Sequence, residues 1–178
     1  TNNLWVRLDQ LKAIMEANGG YIPLPMIQNK KTVDPKDAAS TPVLQLETAM
    51  GAAIECFANA SAIVVNRTRF CPVKKCSDLL LLRSDAYLLE NHQPVLNPLL
   101  NGQAPVMNLD SKKYKLVGAL EEATQYGIPS LVGCTSLTIK GLVRMSNRTK
   151  FFGNVEIVNA SSESKFVPVG EVTGEHDL

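Results

Sequence analysis

Histidine is scarce in this chain, with His92 and His176 its only two, and none of its four cysteines stands in a CxxC pair. A structural zinc site needs four Cys or His ligands at short spacing, so the sequence excludes one. Cys56, Cys71, Cys76 and Cys134 are expected as free thiols. An excess of one charge is missing too: 18 Lys and Arg against 17 Asp and Glu leave a formal +1. That gives no overall pull toward nucleic acid or a membrane surface, so any anion site must be local. There is no apolar leader, no run of membrane-spanning length and no Gly-rich nucleotide loop. The Asn-x-Ser/Thr tripeptides at Asn59, Asn66, Asn147 and Asn159 read as products of an Asn-, Ser- and Thr-rich composition. The expected location is cytoplasmic. The chain begins on Thr1, not Met, and is expected to be a fragment.

What is present is an ordinary globular composition, 45% hydrophobic and 20% charged over 178 residues, enough for one respectable core or two small ones. The most pointed stretch runs Arg67-Thr68-Arg69-Phe70-Cys71-Pro72-Val73-Lys74-Lys75-Cys76-Ser77-Asp78 and then into four leucines. A basic segment stiffened by Pro72 turns directly into an apolar helix whose start is marked by Ser77 or Asp78. Such a boundary holds a cation still. An ammonium is a compact charge with three donors, suited to a transferring phosphoryl group, which makes Lys74 a candidate phosphate contact. The alternative is a solvated charged face shared by Lys74, Lys75 and the two arginines.

Upstream, Leu4, Leu8, Leu11 and Met15 form a helical stripe that stops at Asn18-Gly19-Gly20. Asn2 and Asn3 stand before it, each a candidate N-cap or a donor-acceptor for sugar hydroxyls. Residues 21–27 read as an extended edge, because Pro23 and Pro25 cannot donate to a central ladder, and residues 28–42 as a loop. Leu46, Met50, Ala53, Ile54 and Phe57 predict a helix, with Glu47 favoured in its first turn by the helix dipole. Ala62-Ile63-Val64-Val65 reads as a buried strand. Further on, helices are expected over 79–89 and 114–125 with a loop at 91–106 between them. Helices alternating with short strands point to an α/β architecture.

After Pro129 a repeat begins. Leu131, Leu137, Val143, Thr149 and Val155 recur every sixth residue, and Ile139, Met145, Phe151 and Ile157 stand two positions after the last four. A hexad with one inward aliphatic per side is the pattern of a β-helix, each coil burying its face on the next. Thr149 in an inward slot and the irregular Ser161-Ser162-Glu163-Ser164 suggest a short or frayed one. Residues 172–178 are expected to be a mobile tail.

Three segments, in order, carry a family resemblance: Asn2-Asn3-Leu4-Trp5, Gln45-Leu46-Glu47-Thr48-Ala49, and Arg69-Phe70-Cys71-Pro72-Val73-Lys74 followed by Ser77-Asp78-Leu79-Leu80-Leu81. Together they resemble the later half of eukaryotic UTP-glucose-1-phosphate uridylyltransferases, also called UDP-glucose pyrophosphorylases. The resemblance implies a reaction between UTP and glucose 1-phosphate that gives UDP-glucose and pyrophosphate. It implies Lys74 as the catalytic and phosphate-binding residue, and Asn2 and Phe70 beside the sugar, with Asn3 left as the helix cap. It implies Mg²⁺ as cofactor, with ligands and nucleotide loop in an upstream half of the same protein, so that this chain alone should be inactive.

The expected fold is the later part of a Rossmann-like, GT-A-like nucleotidyltransferase domain followed by a short left-handed β-helix. Residues 1–76 would be the sugar-binding part, 77–130 linking helices and loop, and 131–178 the β-helix with its tail. No nucleic acid or membrane partner is expected, and the β-helix offers a route to a homo-oligomer. A broader UDP-sugar pyrophosphorylase and a non-catalytic β-helix assembly module are the alternatives. A hexapeptide-repeat acyltransferase is disfavoured, since His92 precedes the repeat and His176 lies in the tail.

Overall fold

The computed structural model describes residues 3–66 and 70–178, and divides the chain into two units, Thr1–Phe70 and Cys71–Leu178. The first unit opens with helix α1, Leu8–Ala17. Its start differs from expectation: Arg7, in extended backbone, is the N-cap, and Asn3 lies too far upstream to cap anything. Arg7 instead pairs with first-turn Asp9 at 2.5 Å, which holds that carboxyl below the usual range. The helix ends as read, with Asn18 donating to the Ile14 carbonyl and the Gly20 N–H to Met15 as Gly19 and Gly20 take positive φ.

Strands β1, Met26–Thr32, and β2, Pro42–Thr48, then form an antiparallel hairpin in which Gln28 faces Leu46 and Lys30 faces Leu44. Two expectations are corrected here. Much of the expected loop at 28–42 is strand, and the helix expected from Gln45 is strand up to Thr48, leaving a 3₁₀ turn over Met50–Cys56. Val43 and Thr48 favour extended backbone, and an apolar run this short is readable at either period. Asp34 and Asp37 close the hairpin loop by accepting from the N–H groups of Lys36 and Ala39. Ala62–Val65 is irregular and exposed, not a buried strand.

The second unit is α/β with a parallel sheet. Helix α2, Cys76–Arg83, ends at Ser84, so the expected helix does not reach Leu89. Residues Tyr87–Glu90 are instead strand β3, paired with β4, Gln93–Leu96, across Asn91 and His92 in left-handed backbone. The expected loop at 91–106 thus holds β4 and a 3₁₀ turn at Pro98–Leu100 capped by Asn97. Strand β5, Val106–Leu109, and helix α3, Val117–Ala123, follow. Next come β6, Ser130–Lys140; β7, Val143–Arg144; β8, Thr149–Val158; β9, Lys165–Phe166; and β10, Gly170–Asp177. The main sheet has the order β10-β8-β6-β5 with every neighbour parallel, and β7 pairs in parallel with β9. The expected tail is therefore an edge strand, because Glu175, His176 and Asp177 pair with Glu156, Ile157 and Val158.

All nine residues of the hexad pattern are buried, and with Leu80 and Leu120 they form the centre of the core. Thr149 does not fray the repeat, since its hydroxyl donates to the Pro168 carbonyl at 3.0 Å. The Tyr114 hydroxyl accepts from the Val143 N–H at 3.0 Å, and burial pushes the phenol's pKa up. Gly141 is obligatory: φ is +85°, and a Cβ there would stand 2.0 Å from the Asn159 carbonyl oxygen.

Candidate functional site

Within the first unit, the stretch before α1, the 3₁₀ turn and the irregular segment after it surround a cleft of about 1050 Å³. Asn3, Trp5, Ile54, Phe57, Ile63 and Phe70 are among its walls. The cleft is open, with Trp5 94% exposed, and its lining mixes aromatic and aliphatic faces with amides. Phe70 and Asn3 thus meet at one cleft. Asn2, the residue singled out for sugar, lies outside the described residues, as do Arg67 and Arg69. The sequence reading missed Trp5 and Asn66 as cleft residues, although Trp5 belongs to a quoted motif.

Lys74 belongs to the second unit, just before α2. Its position is set through the backbone: one carboxylate oxygen of Asp78 accepts from the N–H groups of Lys74 and Lys75, at 2.9 and 3.0 Å. An acid at this place in the first helical turn satisfies donors that the helix itself leaves open. The Lys74 side chain is exposed, and among the described residues its ammonium has no hydrogen-bond or ion-pair partner. The result is a stiffly mounted base carrying an uncommitted cation. Asp78 was legible as a helix-start residue, but its link to Lys74 was not.

Glu47 is also corrected. It lies in strand β2, where no helix dipole acts on it, and its carboxylate accepts from Asn29 Nδ2 at 2.9 Å. Asn29 carried no signal that would single it out in the sequence. The four cysteines are free; Cys76 and Cys134 are buried, and burial pushes the Cys134 thiol up to about 11. A thiol held protonated in this way is a poor nucleophile. Among the described residues no three His, Cys, Asp or Glu side chains gather into a metal site, and no helix is long and apolar enough to cross a membrane.

Comparison with known proteins bears on what this arrangement serves. The family model for UTP-glucose-1-phosphate uridylyltransferase matches residues 1–151. The enzyme of that name from Saccharomyces cerevisiae is 39% identical over 172 residues, covering 97% of this chain and 34% of the yeast protein. A mutant UDP-glucose pyrophosphorylase of Leishmania major in complex with UDP-glucose superposes with a TM-score of 0.82 at 47% identity, covering 100% of this chain and 38% of that one. A Trypanosoma brucei structure described as UDP-glucose phosphorylase gives 0.84 at 44% identity, covering 98% and 38%. The chain spans about a third of the length of the curated relatives it matches, and corresponds to their later part. On this evidence the chain belongs to the UTP-glucose-1-phosphate uridylyltransferase family.

Proposed function

We propose that this chain forms the later part of an enzyme that makes UDP-glucose and pyrophosphate from UTP and glucose 1-phosphate. The observation that carries the reading is the free ammonium of Lys74 on a backbone pinned by Asp78, in a chain of this family. A phosphate oxygen of glucose 1-phosphate attacks the α-phosphorus of UTP, and pyrophosphate leaves with the electron pair of the broken bond. Such a displacement depends on in-line positioning and neutralisation of charge on the phosphate oxygens, not on a covalent protein nucleophile. Lys74 supplies that neutralising charge. Its backbone is held by Asp78, and the ammonium has no partner to give up among the described residues as charge develops. In the same reading Asn2 orients the glucosyl group and Phe70 supports it from the cleft wall.

Mg²⁺ belongs to this proposal only outside the described residues. They gather no ligand set that fits the ion. The finer fold is likewise proposed: a GT-A-like domain end followed by a left-handed β-helix. Inward hexads support this, as do parallel neighbours and a register in which Leu137 meets Val155 and Ile139 meets Ile157, each three hexads on. The enzymatic reading is tested in the longer protein by Lys74→Ala. Turnover in the pyrophosphate-forming direction should fall on the order of a hundredfold or more, as for loss of a preorganised donor. Near-normal turnover would refute it.

A further inference from the structure

Helix α2 is seated in the core of the second unit, with Cys76, Ser77 and Leu80 buried and Leu80 wholly out of solvent. Asp78 stands in its first turn. A single oxygen of that side chain, Oδ2, accepts from the N–H groups of both Lys74 and Lys75, while the Lys75 carbonyl accepts from the Asp78 and Leu79 N–H groups at 3.1 Å. The chain before the helix has little else to hold it. Residues 70–75 belong to no helix or strand, Pro72 has no N–H, and Val73, Lys74 and Lys75 are exposed. Among the described residues, residues 71–74 make no other hydrogen bond. The place of the Lys74 backbone therefore depends on Asp78.

We propose that Asp78 is a positioning residue for uridylyl transfer, acting through Lys74 by fixing the backbone from which the ammonium reaches a phosphate. This role rests on the reading of Lys74 as the phosphate contact. A lysine charge rides on a flexible four-carbon stem, so the space it can sweep is set by the place of its Cα. Freeing two N–H groups frees that Cα, and a displacement of about 1 Å away from the reacting atoms is enough to slow a reaction heavily. Asp78 touches no reacting atom itself. A carboxylate repels phosphate oxygens, so what it contributes is geometry and not charge. Asparagine keeps a carbonyl acceptor without the charge, and Asp78 Oδ1 has no partner among the described residues, which leaves room for the amide NH₂. An Asn at this position should therefore hold Lys74 as Asp does.

A double-mutant cycle in the longer protein tests it, with initial rates of UDP-glucose formation and a thermal melt for each variant. Asp78→Ala should lower kcat about tenfold or more and leave KM for UTP and glucose 1-phosphate within about threefold. Asp78→Asn should recover kcat to within about threefold of the parent. In the Lys74→Ala background, Asp78→Ala should slow turnover by less than about twofold more, because the group it positions is already gone. A helix cap with no further role would lower the melting temperature and slow both backgrounds alike. If alanine prevents folding, Asp78→Ser takes its place in the cycle: serine suits a first helical turn but is one atom too short to reach both N–H groups. Equal losses in the two backgrounds overturn the proposal, as do near-normal turnover without the Asp78 carboxylate and an Asp78→Asn variant as slow as Asp78→Ala. Near-normal turnover of Lys74→Ala removes the reading of Lys74 and this role with it, whereas a slow Lys74→Ala beside an unaffected Asp78→Ala removes this role alone.

Discussion

The side-chain amide of Asn159 is 3% exposed, yet all its hydrogen bonds are made. Its Nδ2 donates to the carbonyls of Leu142 and Glu163 at 2.6 and 2.7 Å, and its Oδ1 accepts from the Ser161 N–H and hydroxyl. The irregular stretch after β8 is therefore a knot built on one residue. The same nitrogen is the atom a glycan would occupy at this tripeptide, so the site is closed to modification in the folded chain. Asn159→Ala leaves the Ser161 N–H without its acceptor and takes one donor each from the Leu142 and Glu163 carbonyls, and should cost about 1–3 kcal/mol, read as a lower urea midpoint at unchanged slope. Cys134 gives a pH-dependent test. Its folded pKa, about 11, lies above the ordinary value of 9.0 because burial disfavours the thiolate. Its contribution is therefore complete below pH 9 and lost as pH rises through 11. That loss is about 2 kcal/mol, and the difference between unfolding free energies from urea melts at pH 8 and pH 11 should shrink by roughly this amount in Cys134→Ala. Tyr114, shifted the same way, will keep part of the slope.

At the scale of elements, what was legible depended on whether the code was local. The hexads were readable because each inward position repeats the same requirement, and all nine side chains are buried. The end of α1 was readable for the same reason, since Asn18-Gly19-Gly20 needs only neighbouring residues to act. Strand β2 was not. Leu44 to Glu47 alternates while Leu46, Met50 and Ala53 also fit a helical stripe, and the choice was made by pairing with β1, a partner chosen by the hairpin and not by the run itself. The same holds for β10, whose polar residues read as a tail until β8 lies alongside. A substitution pair separates the two kinds of element. Leu137→Ala, at a site with no exposure, should cost about 2–5 kcal/mol. Leu44→Ala, on the exposed hairpin face, should stay within about 0.5 kcal/mol in the isolated chain. Chemical denaturation followed by circular dichroism reads both, and equal losses would mean that the hairpin belongs to the cooperative core.

For the molecule as a whole, the candidate site was legible one residue at a time, never as an assembly. Lys74 and Phe70 stand only four positions apart, yet one is the mounting before α2 and the other a cleft wall, in different units. The sequence carries both motifs, and each is legible from its own neighbours alone. This division has a thermodynamic signature. The denaturant slope scales with the surface exposed on unfolding, and among the described residues the buried apolar cluster lies within Cys71–Leu178. The urea m-value of the isolated chain should therefore match a domain of about 110 residues, not one of 178. Removing residues 1–70 should leave both m and the midpoint nearly unchanged. A fall in m on that truncation, in proportion to the seventy residues removed, would show instead that the first unit shares the cooperative transition.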